Sequence, residues 1–161
     1  MTTTTPALRK ACIALLTTGA GEAALVAAGV ASPAEGGVSV EPEQGQRLPY
    51  VEVQGATEVE TDRSTSTRST SSTITMVVRA ARLSDAESVA AVVVQTLGRR
   101  IDVPGLDGPG ASAEGFTNTA GTVDLNGPAY RDEGDAGGSR AVWSIPLRFR
   151  YQLTQSASSN E

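Results

Sequence analysis

The sequence contains no histidine and a single cysteine, Cys12. The first absence removes the usual general base near neutral pH and the commonest metal ligand. The second excludes an internal disulfide and any zinc cluster built on cysteines. Aromatic residues make up only 4% of the chain, so a core has to be assembled mainly from Val, Leu, Ile and Ala. Lys10 is the only lysine, and the net charge of −5 gives no general attraction to nucleic acid or anionic lipid. No run of 18 apolar residues exists, so no segment reads as a membrane-spanning helix.

What is present fits one domain of 161 residues, long enough for a modest core. The segment "ACIALLTTGAGEAALVAAGVASPA", residues 11 to 34, follows the basic pair Arg9-Lys10. Read as a secretory leader, it would be cleaved after "ASPA". Glu22 and the break Thr17-Thr18-Gly19-Ala20-Gly21 interrupt that pattern. Read as structure, Thr5 caps a helix, Pro6 takes its first position, and Leu8, Ala11, Cys12, Leu15 and Leu16 recur at helical spacing. Gly19 ends this helix and a short helical turn follows, from Glu22 to Ala28. The helical reading explains more of the residues and implies synthesis in the cytosol, with Cys12 a buried apolar side chain.

Residues 30 to 49 form a turn-rich connection with a short strand at Val38 to Val40. Residues 50 to 60 alternate as a strand, 61 to 72 ("TDRSTSTRSTSS") suggest a mobile hairpin tip, and 73 to 81 return. "SDAESVAAVVVQTLGRR" is a helix with Ser84 and Glu87 as a capping box and Gly98 at its end. Ala86, Val89, Ala90, Val93 and Leu97 form its apolar stripe, and Val92 and Val94 widen it enough for a second surface to cover. Residues 98 to 121 read as a long loop, and a short strand is expected at 123 to 125, followed by an acidic turn. The final strand alternates strictly: Trp143, Ile145, Leu147, Phe149, Tyr151 and Leu153 face one way and polar residues face the other. Pro146 implies an edge position or a bulge. The expected fold is α+β, a roughly four-stranded antiparallel sheet with two helices on one face and long polar loops. One domain covers residues 1 to 155 and a flexible tail covers 156 to 161.

No catalytic pattern emerges. "GAG" at 19 to 21 fails the dinucleotide fingerprint at Ala24 and follows a helix, and "GGSRA" at 137 to 141 lacks the second glycine of a nucleophile elbow. Asp102, Asp107 and Glu114 fit no calcium-loop spacing and read as solvated loop charges. Arg148 and Arg150 could grip phosphate, but a solvated or intersubunit face paired with acids is the simpler reading.

The order of elements resembles the phage tail terminator family (tail completion, or head–tail joining, proteins). The residues that carry the resemblance are the N-terminal helix "PALRKACIALLTT", Val40 to Pro42, Gln44-Gly45, Leu48-Pro49-Tyr50-Val51, the strand "STITMVVRAA" and the closing strand "LRFRYQL". The resemblance implies a virion structural protein without enzymatic activity or cofactor. Its members form a hexameric ring that caps the tail tube, ends its polymerisation and joins the tail to the capsid neck. The implied partners are five further copies, the tail tube protein and a neck or head-completion connector. DNA passes only as cargo through a lumen that six copies would make strongly negative, and no membrane is involved. Arg63, Arg68, Arg148 and Arg150, with Asp132, Glu133 and Asp135, are the expected subunit or tail-tube interface. The competing readings are another head–tail connector, a head-completion or tail-tube subunit, and a secreted binding module.

Overall fold

The computed structural model describes residues 5–42, 45–63, 67–99, 101, 103, 117–132 and 141–156. Three α-helices lie among them: α1 (Thr5–Thr17), α2 (Gly19–Ala27) and α3 (Leu83–Leu97). The strands are β1 (Val38–Ser39), β2 (Tyr50–Arg63), β3 (Thr67–Ala80), β4 (Thr117–Asn126), β5 (Tyr130–Asp132) and β6 (Val142–Ser156). They form one mixed sheet in the order β1-β2-β3-β6-β4, with β5 pairing β6 beyond the end of β4. All neighbours are antiparallel except β1, which runs parallel to β2.

The α+β class holds, while the expected four antiparallel strands and two helices become six strands and three helices. The extra helix comes from the Gly19 break. Gly19 has a φ of +58°, which turns the chain by 58° between α1 and α2. That bend lets α2 bury Leu25 against the same core that takes Leu8, Cys12 and Leu16 from α1. The opening segment is therefore a core element of the fold. No single helix among the described residues is long and apolar enough to cross a membrane.

The alternation of β6 is the spine of the core. Leu147, Phe149 and Tyr151 are fully buried, opposite Met76, Ile74 and Ser72 of β3. Trp143 was expected among them but is only partly buried, because it lies near the strand's start against the short β5. On α3 the stripe Ala86, Val89, Ala90, Val93 and Leu97 is buried. Its widening at Val92 and Val94 is met inside the chain, both residues packing at the margin of the same core, and α2 lies against α3.

Three local expectations are corrected. Residues 61 to 72 do not form a broad tip: β2 runs to Arg63 and β3 starts at Thr67. The Ser/Thr run tolerates strand geometry because β6 lines it from Thr67 onward, and Thr70 and Ser72 are buried with their hydroxyls 3.2 Å apart. The strand expected at 123 to 125 begins at Thr117, so part of the expected long loop is sheet; residues 104 to 116 lie outside the described residues. Ser84 does not cap α3, which starts one residue earlier with Arg82 as the N-cap and no side-chain cap. Arg82 instead pairs with Asp85 at 3.1 Å in the first turn.

Pro146 is not on an edge strand, since β6 is flanked by β3 on one side and by β4 and β5 on the other. It sits where β5 has ended and β4 has not begun: Ser144 pairs with Tyr130 and Leu147 with Asn126. The N and O of a strand residue point to the same side, and the Pro146 carbonyl accepts from Gly127 N at 2.9 Å. The missing N–H therefore faces the gap between two strands, where no ladder bond is lost.

Gly121 of β4 is fixed by a close approach rather than by its backbone angles. A Cβ there would lie 2.2 Å from the Arg99 carbonyl oxygen and 3.0 Å from the Tyr151 ring. Substituting Gly121 by valine is expected to destabilise the fold by about 3 kcal/mol or more, since main chain and a fully buried ring must both move. Urea denaturation checks this; a loss below about 1 kcal/mol would show that the β4 crossing is slack.

Candidate assembly surfaces

The helices cover one sheet face and leave the other open. The strand register sets rows across that open face. One row runs Tyr50, Arg79, Ser144, Tyr130 across β2, β3, β6 and β5. Arg79 donates Nε to Glu52 Oε2 at 2.9 Å and Nη1 to Ser144 Oγ at 3.0 Å. Partial burial works against its charge, yet the hydrogen-bonded Glu52 carboxylate holds its pKa above the ordinary arginine value. The middle of this row is a braced patch, with Arg79 tying Glu52 of β2 to Ser144 of β6.

A second cluster lies further along β6. Arg150 sits in register with Thr73 and Thr122, and Arg148 with Thr75 and Leu125. The register shift between Val123 and Leu125 leaves Asp124 as an extra residue on β4. Its carboxylate accepts from Arg150 Nη2 at 2.9 Å and lies 3.7 Å from Arg148 Nη1. Two cations share one anion, and both guanidinium groups remain about half exposed, at 45% and 49%. Such an arrangement leaves charge over for a second carboxylate or another acidic surface.

Among the residues expected at an interface, the structure brings Arg148 and Arg150 together. Arg63 and Arg68 are register partners at the end of the β2–β3 hairpin. Asp132 ends β5 opposite Val142, and Glu133 and Asp135 lie outside the described residues. Asp124 was missed by sequence reasoning. It is 24 and 26 positions from the two arginines, and only the β4–β6 register with its bulge makes them neighbours.

Under the sheet, the Tyr151 hydroxyl donates to the Leu97 carbonyl at the end of α3 and also bonds the Cys12 side chain. Burial pushes the Cys12 thiol up to about 12, with the Tyr151 contact pulling weakly the other way. Burial also raises the Tyr151 hydroxyl, and the neighbouring Cys12 adds to the shift. A thiol held protonated at neutral pH and closed off from solvent is a packing group. Among the described residues no group of three His, Cys, Asp or Glu side chains is placed to hold a metal ion. Asp102, Asp107 and Glu114 lie outside the described residues.

One chain of a solved assembly, the virion of a native gene transfer agent particle, superposes on this protein with a TM-score of 0.64. The match spans 93% of this chain and 96% of that one, at 19% identity. The two chains share a fold. Because the alignment runs nearly end to end in both, the likeness takes in the helical layer and the sheet together. No family model matches the chain, and no curated protein sequence matches it.

Proposed function

We propose that the protein is a structural component of a phage-like virion: a closed ring of six subunits that caps the tail tube, ends its growth and joins the tail to the capsid neck. The observation that carries this reading is the end-to-end fold likeness to a chain of a gene transfer agent virion. The tail terminator resemblance in the sequence supplies the position and the ring. The chemistry of the chain agrees in kind: its one thiol is buried, and a half-exposed cluster of two arginines sits on an open sheet face.

In this reading Arg148 and Arg150, held in place by Asp124, receive acids of the adjacent subunit, with Asp132, Glu133 and Asp135 as the candidates. Arg63 and Arg68 at the hairpin end face a neighbour or the tube. The further partners are the tail tube protein and a neck or head-completion connector, with DNA as passing cargo in the lumen. Neutralising both arginines, Arg148→Gln with Arg150→Gln, is expected to weaken assembly while costing the isolated subunit under about 1 kcal/mol, because exposed ion pairs contribute little to folding. Light scattering of the assembled state and thermal melts of the subunit measure the two effects separately.

The same fold likeness also suits a tail-tube or head-completion subunit. Tails assembled with and without the protein separate the readings by electron microscopy. A terminator's absence gives tubes of uncontrolled length that fail to join capsids. A tube subunit's absence gives no tubes, and a head-completion subunit's absence gives normal tails beside unjoined heads.

A further inference from the structure

The two edges of the sheet are built unequally. β1 pairs only Val51 and Glu52 of β2, so the edge of β2 continues past it from Val53 to Arg63 without a partner strand among the described residues. At the far side β4 is the last strand of the sheet path and spans ten residues, Thr117–Asn126. Soluble proteins usually protect such edges with lysine, proline or very short strands. Neither of these two stretches contains lysine or proline. We infer that they are joined in the assembly: the edge of β2 pairs antiparallel with the edge of β4 from a second copy, continuing one sheet from subunit to subunit.

Strand polarity permits this. β3 is antiparallel to β2, β6 to β3 and β4 to β6, so β2 and β4 of one chain run in opposite directions. Repeating the chain side by side keeps the antiparallel order across the joint. The charges select this joint over the symmetrical ones. The β2 edge carries Glu58 and Glu60 on the helix-covered face, in register with Ser72 and Thr70. On that same face Arg99 lies over Gly121 of β4, close enough for its carbonyl to exclude a Cβ there, and its residue is exposed. Pairing β2 with β4 brings two acids toward a cation, whereas pairing β2 with a second β2 sets the acids against each other. On the open face the exposed Val59 of β2, at 66%, meets an edge that presents Thr122 and Leu125. Because the two patches differ, the contact is heterologous, which makes rings or filaments rather than isolated dimers.

This inference rests on the ring reading, and its test separates the two. Three single variants, Thr57→Cys, Val59→Cys and Thr122→Cys, and the wild type are assembled on tails and treated with a short bismaleimide crosslinker. The native Cys12 is buried, so the wild type supplies the blank. Equimolar mixtures of the Thr122 variant with the Thr57 or the Val59 variant are expected to give crosslinked dimers, and neither variant alone should. A double variant carrying both cysteines in one chain should give a ladder of bands up to the ring size. Homodimers from the β2 variants alone would overturn the inference in favour of a symmetrical contact. Rings seen by microscopy with no crosslink in any mixture would overturn it while leaving the ring intact. Absence of any ring on the tails would instead refute the proposed function. As a second readout, Glu58→Arg with Glu60→Arg should abolish assembly and Arg99→Glu in the same chain should restore it; no rescue with a folded subunit counts against the joint.

Discussion

Replacing Phe149 by alanine is expected to lower the unfolding free energy by about 3–5 kcal/mol. The ring is fully buried in the strand shared by both halves of the sheet, opposite Ile74 on β3 and Val123 on β4. Truncation leaves a cavity that β strands on both sides and a helix layer above cannot all close. Leu147→Ala, two residues earlier on the same face, should cost about 2–5 kcal/mol. Arg148→Ala, between them but on the open face, should cost under about 1 kcal/mol, since its ion pair with Asp124 is exposed. Urea denaturation of the three variants gives the comparison. Similar losses at 147, 148 and 149 would mean that the strand does not alternate between core and solvent.

The second large effect is a loss of stability in alkali. Cys12 is raised from its ordinary 9.0 to about 12 in the folded chain, and Tyr151 is raised above its ordinary 10.0. A group whose pKa is raised by folding contributes fully below its unfolded value and loses that contribution as pH rises toward the folded one. Stability should therefore be steady with respect to these groups up to about pH 8.5. Between pH 9 and 12 it should fall by about 1.4 kcal/mol per pH unit from Cys12 alone, with Tyr151 adding a second proton above pH 10. The unfolded chain releases protons there that the folded chain still holds. Denaturation at pH 7.5, 9.5 and 10.5 measures the slope, and Cys12→Ala should flatten the part between 9 and 10. A stability unchanged to pH 10.5 would mean that both groups are more open to solvent than the buried Cys12–Tyr151 contact implies.

Much of the fold was legible because it is written in periodicity. The alternation from Ile145 to Leu153 and the stripe of α3 each repeat a pattern that only one element satisfies, and both are buried as that pattern requires. The opening helix was legible for the same reason. The misreadings fall where no side-chain pattern exists. The Ser/Thr run at 61 to 72 has no apolar alternation to mark it as strand, and its order comes from β6, some 80 positions away in sequence, as in the Ser69–Thr154 contact at 3.3 Å. Ser84 reads as a cap because Ser, Asp and Glu stand at suitable spacing, yet the helix begins at Leu83 and the Arg82–Asp85 pair occupies that turn. Pro146 suggested an edge, and the structure meets its demand with a gap between two strands instead.

The interaction surfaces were half legible. Arg148 and Arg150 at alternate positions announce a charged strand face. Their partner Asp124 depends on a bulge and a long-range register, neither of which leaves a trace in local sequence. The edges follow the same logic: a strand's sequence says that it is a strand, and only the sheet order reveals which side lacks a neighbour.

The central claim is positional, and a reconstruction of the intact particle by electron cryomicroscopy tests it most directly. The account predicts density for this fold in six copies around the head-proximal end of the tail tube, between the last tube ring and the neck. Density for it repeated along the whole tube, confined to the capsid, or absent from purified particles would contradict the account.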